Sequence, residues 1–514
     1  MRTVETWNTR AVTGGWLRLS GIGVLAAILA LGVAPASAAP TPRLAWHPCT
    51  APAQKGFQCA TLRAPLDYDH PRGATIRLAV TRRRTADPRY RIGTLFFNFG
   101  GPGAAGAQLL PLAPISPALR ERFDIASWDP RGVGKSTAVR CFDSAEAESA
   151  FLGDEAVGLS FPVGSMQMTS WLDRYRRLYR HCQRRNGELL RHVSTADTAR
   201  DLNLLRRAVG DRRLNYYGSS YGTFLGATYA NLFPDRARGL VLDAALNPKA
   251  YMSRRVKANG GRFLSTDLRT GSDLSAAETL NAFLDQCGST DVAHCAFSAG
   301  DPAATRAKYA SLLARLRSDP QSANLTYAQA VSMTANDLYS VAGWPSLAAE
   351  LQSLWTTGEA TAPAAVPGQL LGQAFAIRCS ESPNPGPAAF PSLDAFAFQR
   401  AGPIGPYWSW TSVACAGWRS SAADRYAGPW DSRTAKPVLV LNNTYDPASP
   451  YPAAVALSRQ LARARLLTVD GYGHIVGNRS ACATRYVDRY LISAALPPAG
   501  TRCRQDEPPF AAGP

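Results

Sequence analysis

The sequence predicts an α/β fold with a mostly parallel central sheet and a large, mainly helical insertion. Two observations predict it. Short apolar runs bounded by Gly, Pro or Asp alternate with helical patterns over roughly residues 74–248. That rhythm then stops for about 180 residues and resumes at Lys436.

In chain order the expected strands are ATIRLAV (74–80), TLFFNF (94–99), FDIASWD (123–129), LNYYG (214–218), GLVLDAA (239–245), PVLVLNN (437–443) and ARLLTVD (464–470). Each is rich in aliphatic or aromatic residues and short enough for a strand. Between them, STADTARDLNLLRRAVG (194–210) reads as a helix that Ser194 or Thr195 can cap and Gly210 closes. YRRLYRHCQRR (175–185) alternates basic and apolar residues at helical spacing, which predicts one wet helix face. The stretch from about 249 to 430 reads as helices and loops. It holds Trp344, Trp355, Trp408, Trp410, Trp418 and Trp430, with a Pro/Ala/Gly-rich connection, TAPAAVPGQ.

The N-terminus follows another logic. Arg2, Arg10 and Arg18 precede GIGVLAAILALGVA (21–34), and Ala36-Ser-Ala38 follows as a small-x-small cleavage site. Residues 1–38 are therefore expected to be a secretory signal peptide, cut near Ala38. No cysteine closely follows the apolar run, so no lipid anchor is expected there. The expected division is 39–248 as the first part of the sheet domain, 249–430 as the insertion, and 431–514 as its second part.

Composition limits the function. Across 514 residues, 46% are hydrophobic and 18% charged, as in a globular protein. The formal charge of +18 falls to about +16 when the three arginines and one glutamate of the signal segment leave. The basic residues are spread along the chain without a recognisable nucleic-acid module, so a solvated arginine-rich surface is expected, not nucleic-acid binding. Ten cysteines in an exported chain are expected to form disulfides; nearest-neighbour pairing gives five bridges, though sequence alone leaves connectivity open. No C-x-x-C occurs and only His294 adjoins the close pair Cys287/Cys295, so neither a metal nor a cofactor is expected.

Gly218-Ser219-Ser220-Tyr221-Gly222 matches G-x-S-x-G. Ordinary Gly and Ser usage produces one such match in roughly one chain in five of this length, so context decides. A strand, LNYYG, ends at the motif, and a helix, TFLGATYANLFP, starts just after it. A nucleophile on such a strained strand-to-helix turn needs small neighbours. Ser220 is the expected nucleophile. A serine needs a base and the base needs an orienting acid, in the chain order Ser, acid, His. His474, in GYGHIVG after the last strand, is the expected base. Asp446, in PVLVLNNTYDPASP, lies 28 residues earlier and is the expected acid. Asp470 is the second choice, since it reads as a strand end four residues from His474. For the oxyanion, the expected donors are the N–H of Tyr221 and an N–H from NFGGPG, with Gly101 the first choice and Gly100 the second.

Two other patterns imitate nucleotide sites. DPRGVGKST ends like a Walker loop but has Asp129 where the first glycine belongs. Gly101, Gly103 and Gly106 spell G-x-G-x-x-G after a strand. However, Pro102 sits inside the motif, and Pro111, Pro114 and Pro117 interrupt the helix that should receive a pyrophosphate. Neither is expected to bind a nucleotide. DPRGVGKS reads instead as a tight turn near the nucleophile.

Taken together, AWHPC, CATLRAPLDYDHP, NFGGPG, SWDPRGVGKS, YYGSSYGT, AIRCSE, NNTYDPASPY and GYGH make the chain resemble the secreted tripeptidyl aminopeptidase group of the α/β-hydrolases, relatives of prolyl iminopeptidases. The resemblance runs from about Ala45 to Cys503. It implies an α/β-hydrolase fold with a helical cap and a Ser-Asp-His triad, acting as an exopeptidase on peptides with free N-termini. Two departures stand out: Phe99 precedes GGPG where the relatives carry Pro or His, and Glu381 stands where Asp is common. A free peptide amine needs a carboxylate partner, and Glu381 is a candidate. A secreted esterase or lipase with the same triad is the alternative; a binding protein on a retired hydrolase scaffold is a third reading. No stable membrane anchor is expected, and the sequence gives no oligomeric state.

Overall fold

The seven expected strands all form, and three others join them. The computed structural model describes residues 43–255, 260–361 and 368–510; the expected signal peptide lies outside the described residues. The strands are β1 (His47–Pro48), β2 (Gln58–Pro65), β3 (Thr75–Arg83), β4 (Gly93–Asn98), β5 (Phe123–Trp128), β6 (Leu214–Ser219), β7 (Ala237–Asp243), β8 (Val438–Tyr445), β9 (Ala464–Tyr472) and β10 (Arg502–Arg504). They make one sheet in the order β1-β2-β3-β5-β4-β6-β7-β8-β9-β10. The pairings β1/β2, β2/β3 and β3/β5 are antiparallel, and every pairing from β5/β4 to β9/β10 is parallel.

All residues of β4, β5 and β6 are buried, because parallel strands joined by crossover helices are covered on both faces. The period-2 pleat divides their side chains between two apolar layers. Phe96, Tyr216, Leu240, Leu242, Val438 and Val440 enter one; Leu95, Phe97, Tyr217, Val241, Leu439 and Leu441 enter the other. The helix Thr195–Ala208 starts as expected, with the Ser194 hydroxyl accepting from Asp197 N–H, and packs beside the helix Tyr221–Leu232. The basic helix runs over Ser165–Asn186 and buries Trp171, Tyr175, Leu178, Tyr179 and Cys182 along one stripe, leaving most of its arginines wet.

Between Asp243 and Val438 the described residues contain helices and loops but no strand. This cap is built on Ser272–Gly288, Pro302–Ser318, Tyr327–Asp337, Trp344–Thr356, Gly368–Glu381 and Phe390–Ala401. Trp344, Trp408, Trp410 and Trp430 are buried in it and against the sheet domain. All ten cysteines pair with their sequence neighbours: Cys49–Cys59, Cys141–Cys182, Cys287–Cys295, Cys379–Cys415 and Cys482–Cys503. No helix among the described residues is long and apolar enough to cross a membrane.

Candidate active site

Ser220 stands between the end of β6 and the helix Tyr221–Leu232, with φ 56° and ψ −124°, a left-handed conformation that costs a non-glycine residue energy. Its surroundings hold it there. Ser220 N–H donates to the Asp243 carbonyl at 2.9 Å, and its carbonyl accepts from both the N–H and the hydroxyl of Thr223. The flanking glycines are a matter of space. A Cβ on Gly218 would lie 2.4 Å from the Gly222 carbonyl oxygen, and one on Gly222 would lie 2.7 Å from Asn98 Oδ1. The turn therefore closes only with glycine on both sides of the serine.

Asp446 and His474 follow β8 and β9, adjacent parallel strands, so their loops meet at one end of the sheet. His474 Nδ1 lies 2.9 and 3.0 Å from the two carboxylate oxygens of Asp446. Asp446 is fully buried, and its Oδ1 also accepts N–H bonds from Ala448 and Ser449. The carboxylate is thus fixed before it meets the imidazole, and it selects the tautomer with the proton on Nδ1 and a free Nε2. Asp470, the second choice, points elsewhere: it pairs with Arg502 at an exposed edge. Among the described residues His474 is joined to Asp446, and no hydrogen bond joins its Nε2 to Ser220 Oγ.

The two glycines considered for the oxyanion differ in what their N–H groups do. Gly100 N–H donates to Asn98 Oδ1 at 3.1 Å, whereas Gly101 N–H has no acceptor among the described residues. Gly101, Ser220 and Tyr221 line one pocket, and the first N–H of a helix has no acceptor within its own helix. Tyr221 and Gly101 are therefore the pair with donors to spare. Gly100 has a different part, since a Cβ there would lie 2.4 Å from the Ser219 carbonyl oxygen and 3.0 Å from Tyr221 N. It lets the loop lie directly against the nucleophile turn.

The pocket encloses about 110 Å³. Its far walls come from the cap, through Thr266, Asp267, Thr270, Tyr339, Arg378 and Trp408. Glu381, the candidate for the substrate amine, is not among the lining residues. It is fully buried, its Oε2 accepts the Thr195 N–H at 2.9 Å, and its Oε1 has no hydrogen-bond partner. Burial pushes this carboxyl up to about 7. Burial holds the Tyr221 hydroxyl well above its ordinary value and the Glu381 charge adds to this; Thr195, which donates its N–H to Glu381 and shares a hydrogen bond with the Tyr221 hydroxyl, places Glu381 behind Tyr221.

Sequence reading missed two groups that hold this arrangement. Asp243, fully buried at the end of β7, accepts from Val476 and Gly477 N–H at 2.9 Å each and from the Tyr217 hydroxyl at 2.6 Å. Its own backbone carbonyl takes the Ser220 N–H, so one residue ties the Ser220 turn to the loop after His474. An acid closing an otherwise apolar strand, GLVLD, was the available signal. Tyr339, from the cap, accepts the His474 N–H at 2.8 Å and packs its ring on the imidazole edge at 5.1 Å between centroids. Nothing in the local sequence distinguishes it.

A family model described as TAP-like protein matches residues 400–503. A tripeptidyl aminopeptidase of Streptomyces coelicolor is 29% identical over 485 residues, covering 89% of this chain and 85% of that protein. Serine protease Hip1 of Mycobacterium tuberculosis is 30% identical, covering 89% and 90%. A protein named carboxylesterase B from the same species is 32% identical, covering 92% of each.

Proposed function

We propose that this chain, which belongs to the TAP-like family of α/β-hydrolase serine hydrolases, is a secreted aminopeptidase that removes short peptides, tripeptides in particular, from free N-termini. The observation that carries the mechanism is the grip of Asp446 on His474 Nδ1, which leaves Nε2 unbonded, with Tyr339 packing on the imidazole and also lining the pocket that holds Ser220. Ser220 Oγ attacks the scissile carbonyl while His474 Nε2 takes its proton. Asp446 balances the imidazolium, and the N–H groups of Tyr221 and Gly101 receive the developing oxyanion. The imidazolium then protonates the leaving amine. Water, deprotonated by the same imidazole, releases the peptide and restores Ser220.

Five disulfides support an oxidising destination, in keeping with the signal peptide read from the sequence. At about 110 Å³ the pocket is below the ~300–1,000 Å³ of most small-ligand sites. The carboxylesterase name of one relative favours a second reading, an esterase with the same triad.

The test compares a tripeptide p-nitroanilide with a free amine, its N-acetylated twin and a short-chain p-nitrophenyl ester, with Ser220→Ala as control. The proposal expects turnover of the free peptide, little of the acetylated one, and none of either by Ser220→Ala. Ester cleavage with both peptides untouched moves the assignment to an esterase. Failure of a serine-directed fluorophosphonate to label Ser220 removes the enzymatic reading altogether.

A further inference from the structure

The pocket beside Ser220 contains one acid and one base among its lining residues, Asp267 and Arg378, and both belong to the cap. They form an ion pair with each other. Asp267 Oδ2 also accepts hydrogen bonds from the Thr411 and Ser412 hydroxyls, which fixes the carboxylate against the wall. About 11% of the Asp267 side chain and 17% of Arg378 remain exposed. None of the other carboxylates nearby lines the pocket: Asp446 holds His474, Asp243 the 476–477 loop, Asp273 pairs with Arg400, and Glu381 accepts from Thr195.

A largely buried ion pair adds little stability over apolar residues of similar volume, so stability alone does not account for this pair in the pocket wall. The N-terminal residue of a peptide has the matching chemistry. Its ammonium and its carbonyl oxygen are joined through a single Cα and lie about 3 Å apart by standard backbone dimensions. An adjacent carboxylate and guanidinium can bind the two together, the first as acceptor and the second as donor. We propose that Asp267 receives the α-ammonium of the substrate and Arg378 the carbonyl oxygen of the same residue, making this pair the determinant of the free N-terminus. The inference rests on the aminopeptidase reading, and it assigns the amine to Asp267 in place of Glu381.

The experiment measures kcat/KM for the free and N-acetylated tripeptide p-nitroanilides in the wild type, Asp267→Asn, Asp267→Glu, Glu381→Gln and the double variant Asp267→Asn/Arg378→Gln. Fluorophosphonate labelling of Ser220 reports whether each site is assembled. Asp267→Asn is expected to lower the ratio of free to acetylated turnover at least tenfold, mainly through KM, because a binding contact made before the chemical step is lost. Asp267→Glu keeps the carboxylate and should recover most of the ratio. The double variant leaves no unpaired charge in the wall, so it labels even if the single variant does not fold, and it too loses the preference. An unchanged ratio in a labelled Asp267 variant, or a loss confined to Glu381→Gln, overturns the assignment while leaving the aminopeptidase reading intact. Equal turnover of both peptides by the wild type overturns both.

Discussion

Glu381→Gln should stabilise the protein at alkaline pH and not at acid pH. The carboxyl is fully buried, has one hydrogen-bond donor, Thr195 N–H, and titrates at about 7 against an ordinary 4.5. With its folded value above its unfolded one, the folded state holds this proton more tightly. Stability from the group is therefore fully present below about 4.5, falls as pH rises toward 7, and is flat above that. At about 1.4 kcal/mol per unit, the shift corresponds to roughly 3 kcal/mol of stability lost between pH 4.5 and 8. Glutamine keeps an oxygen for Thr195 N–H and carries no proton to lose. Its amide leaves one buried group unpaired, as Glu381 Oε1 already is, so the exchange is near neutral at acid pH. Urea unfolding of both proteins at pH 5 and pH 8 should show the variant gaining about 2–3 kcal/mol relative to wild type on going to the higher pH. A difference that stays constant across this range refutes the desolvated carboxyl behind Tyr221. Glu148, buried and also pushed up to about 7, is present in both proteins and cancels in the comparison.

Asp446→Asn should lower kcat by roughly 10³–10⁴-fold with little change in KM, because Asp446 orients the imidazole and does not line the pocket; steady-state kinetics on the p-nitroanilide decide it, and a change confined to KM contradicts the assignment. Gly100→Ala should lose both activity and thermal stability, since φ is 85° and the new Cβ would sit 2.4 Å from the Ser219 carbonyl oxygen. A melting temperature equal to wild type would show that the loop does not lie against the nucleophile turn. Asp243→Asn must turn an NH₂ toward either the Val476 N–H or the Gly477 N–H and Tyr217 hydroxyl, all donors to the carboxylate, so it should cost about 2–4 kcal/mol and reduce activity by loosening the His474 loop. Unfolding and turnover measured together test it, and a variant that is fully active and fully stable refutes the coupling.

The sheet was legible where a strand is buried on both faces and packed with large residues. TLFFNF and PVLVLNN announce themselves, and they became β4 and β8. β2 was not among the expected strands because its buried face is Ala60, Leu62 and Ala64 alternating with Thr61 and Arg63, an edge-type pattern with weak apolar contrast. β10 is three residues long and shows no period. In the site, sequence points to Ser220, Asp446 and His474 because each follows a recognisable strand in a fixed order, and the structure joins the last two. Asp267, Tyr339 and Arg378 could not, because they reach the pocket through the packing of cap helices, which local sequence does not encode. Glu381 was chosen from a neighbouring motif, AIRCSE, and the helix Gly368–Glu381 instead presents Arg378, three residues earlier, to the pocket.

The spelling of Asp129–Thr137 imitates a phosphate loop for a physical reason. A phosphate loop leaves successive N–H groups free to face an anion. Here every N–H from Gly132 to Thr137 has an acceptor within the chain: Thr137, Pro130 and Val133 carbonyls, Gln373 Oε1, Asp129 Oδ2 and the Arg77 carbonyl. Asp129 itself accepts from Lys135 and Ala107 N–H at 2.8 Å each, so the turn supplies its own anion. A Cβ on Gly134 would lie 2.4 Å from Asp129 Oδ2, which is why glycine precedes the lysine. Arg131, fully buried, grips Asp201 through two nitrogens at 2.7 Å and binds the carbonyls of Pro65, Leu66 and His192. The lysine that would touch a nucleotide is exposed instead. Tight turns around an anion demand the same glycines whether the anion is a ligand or a side chain. The letters alone therefore report the turn, and the residue in the first glycine's place reports which anion fills it.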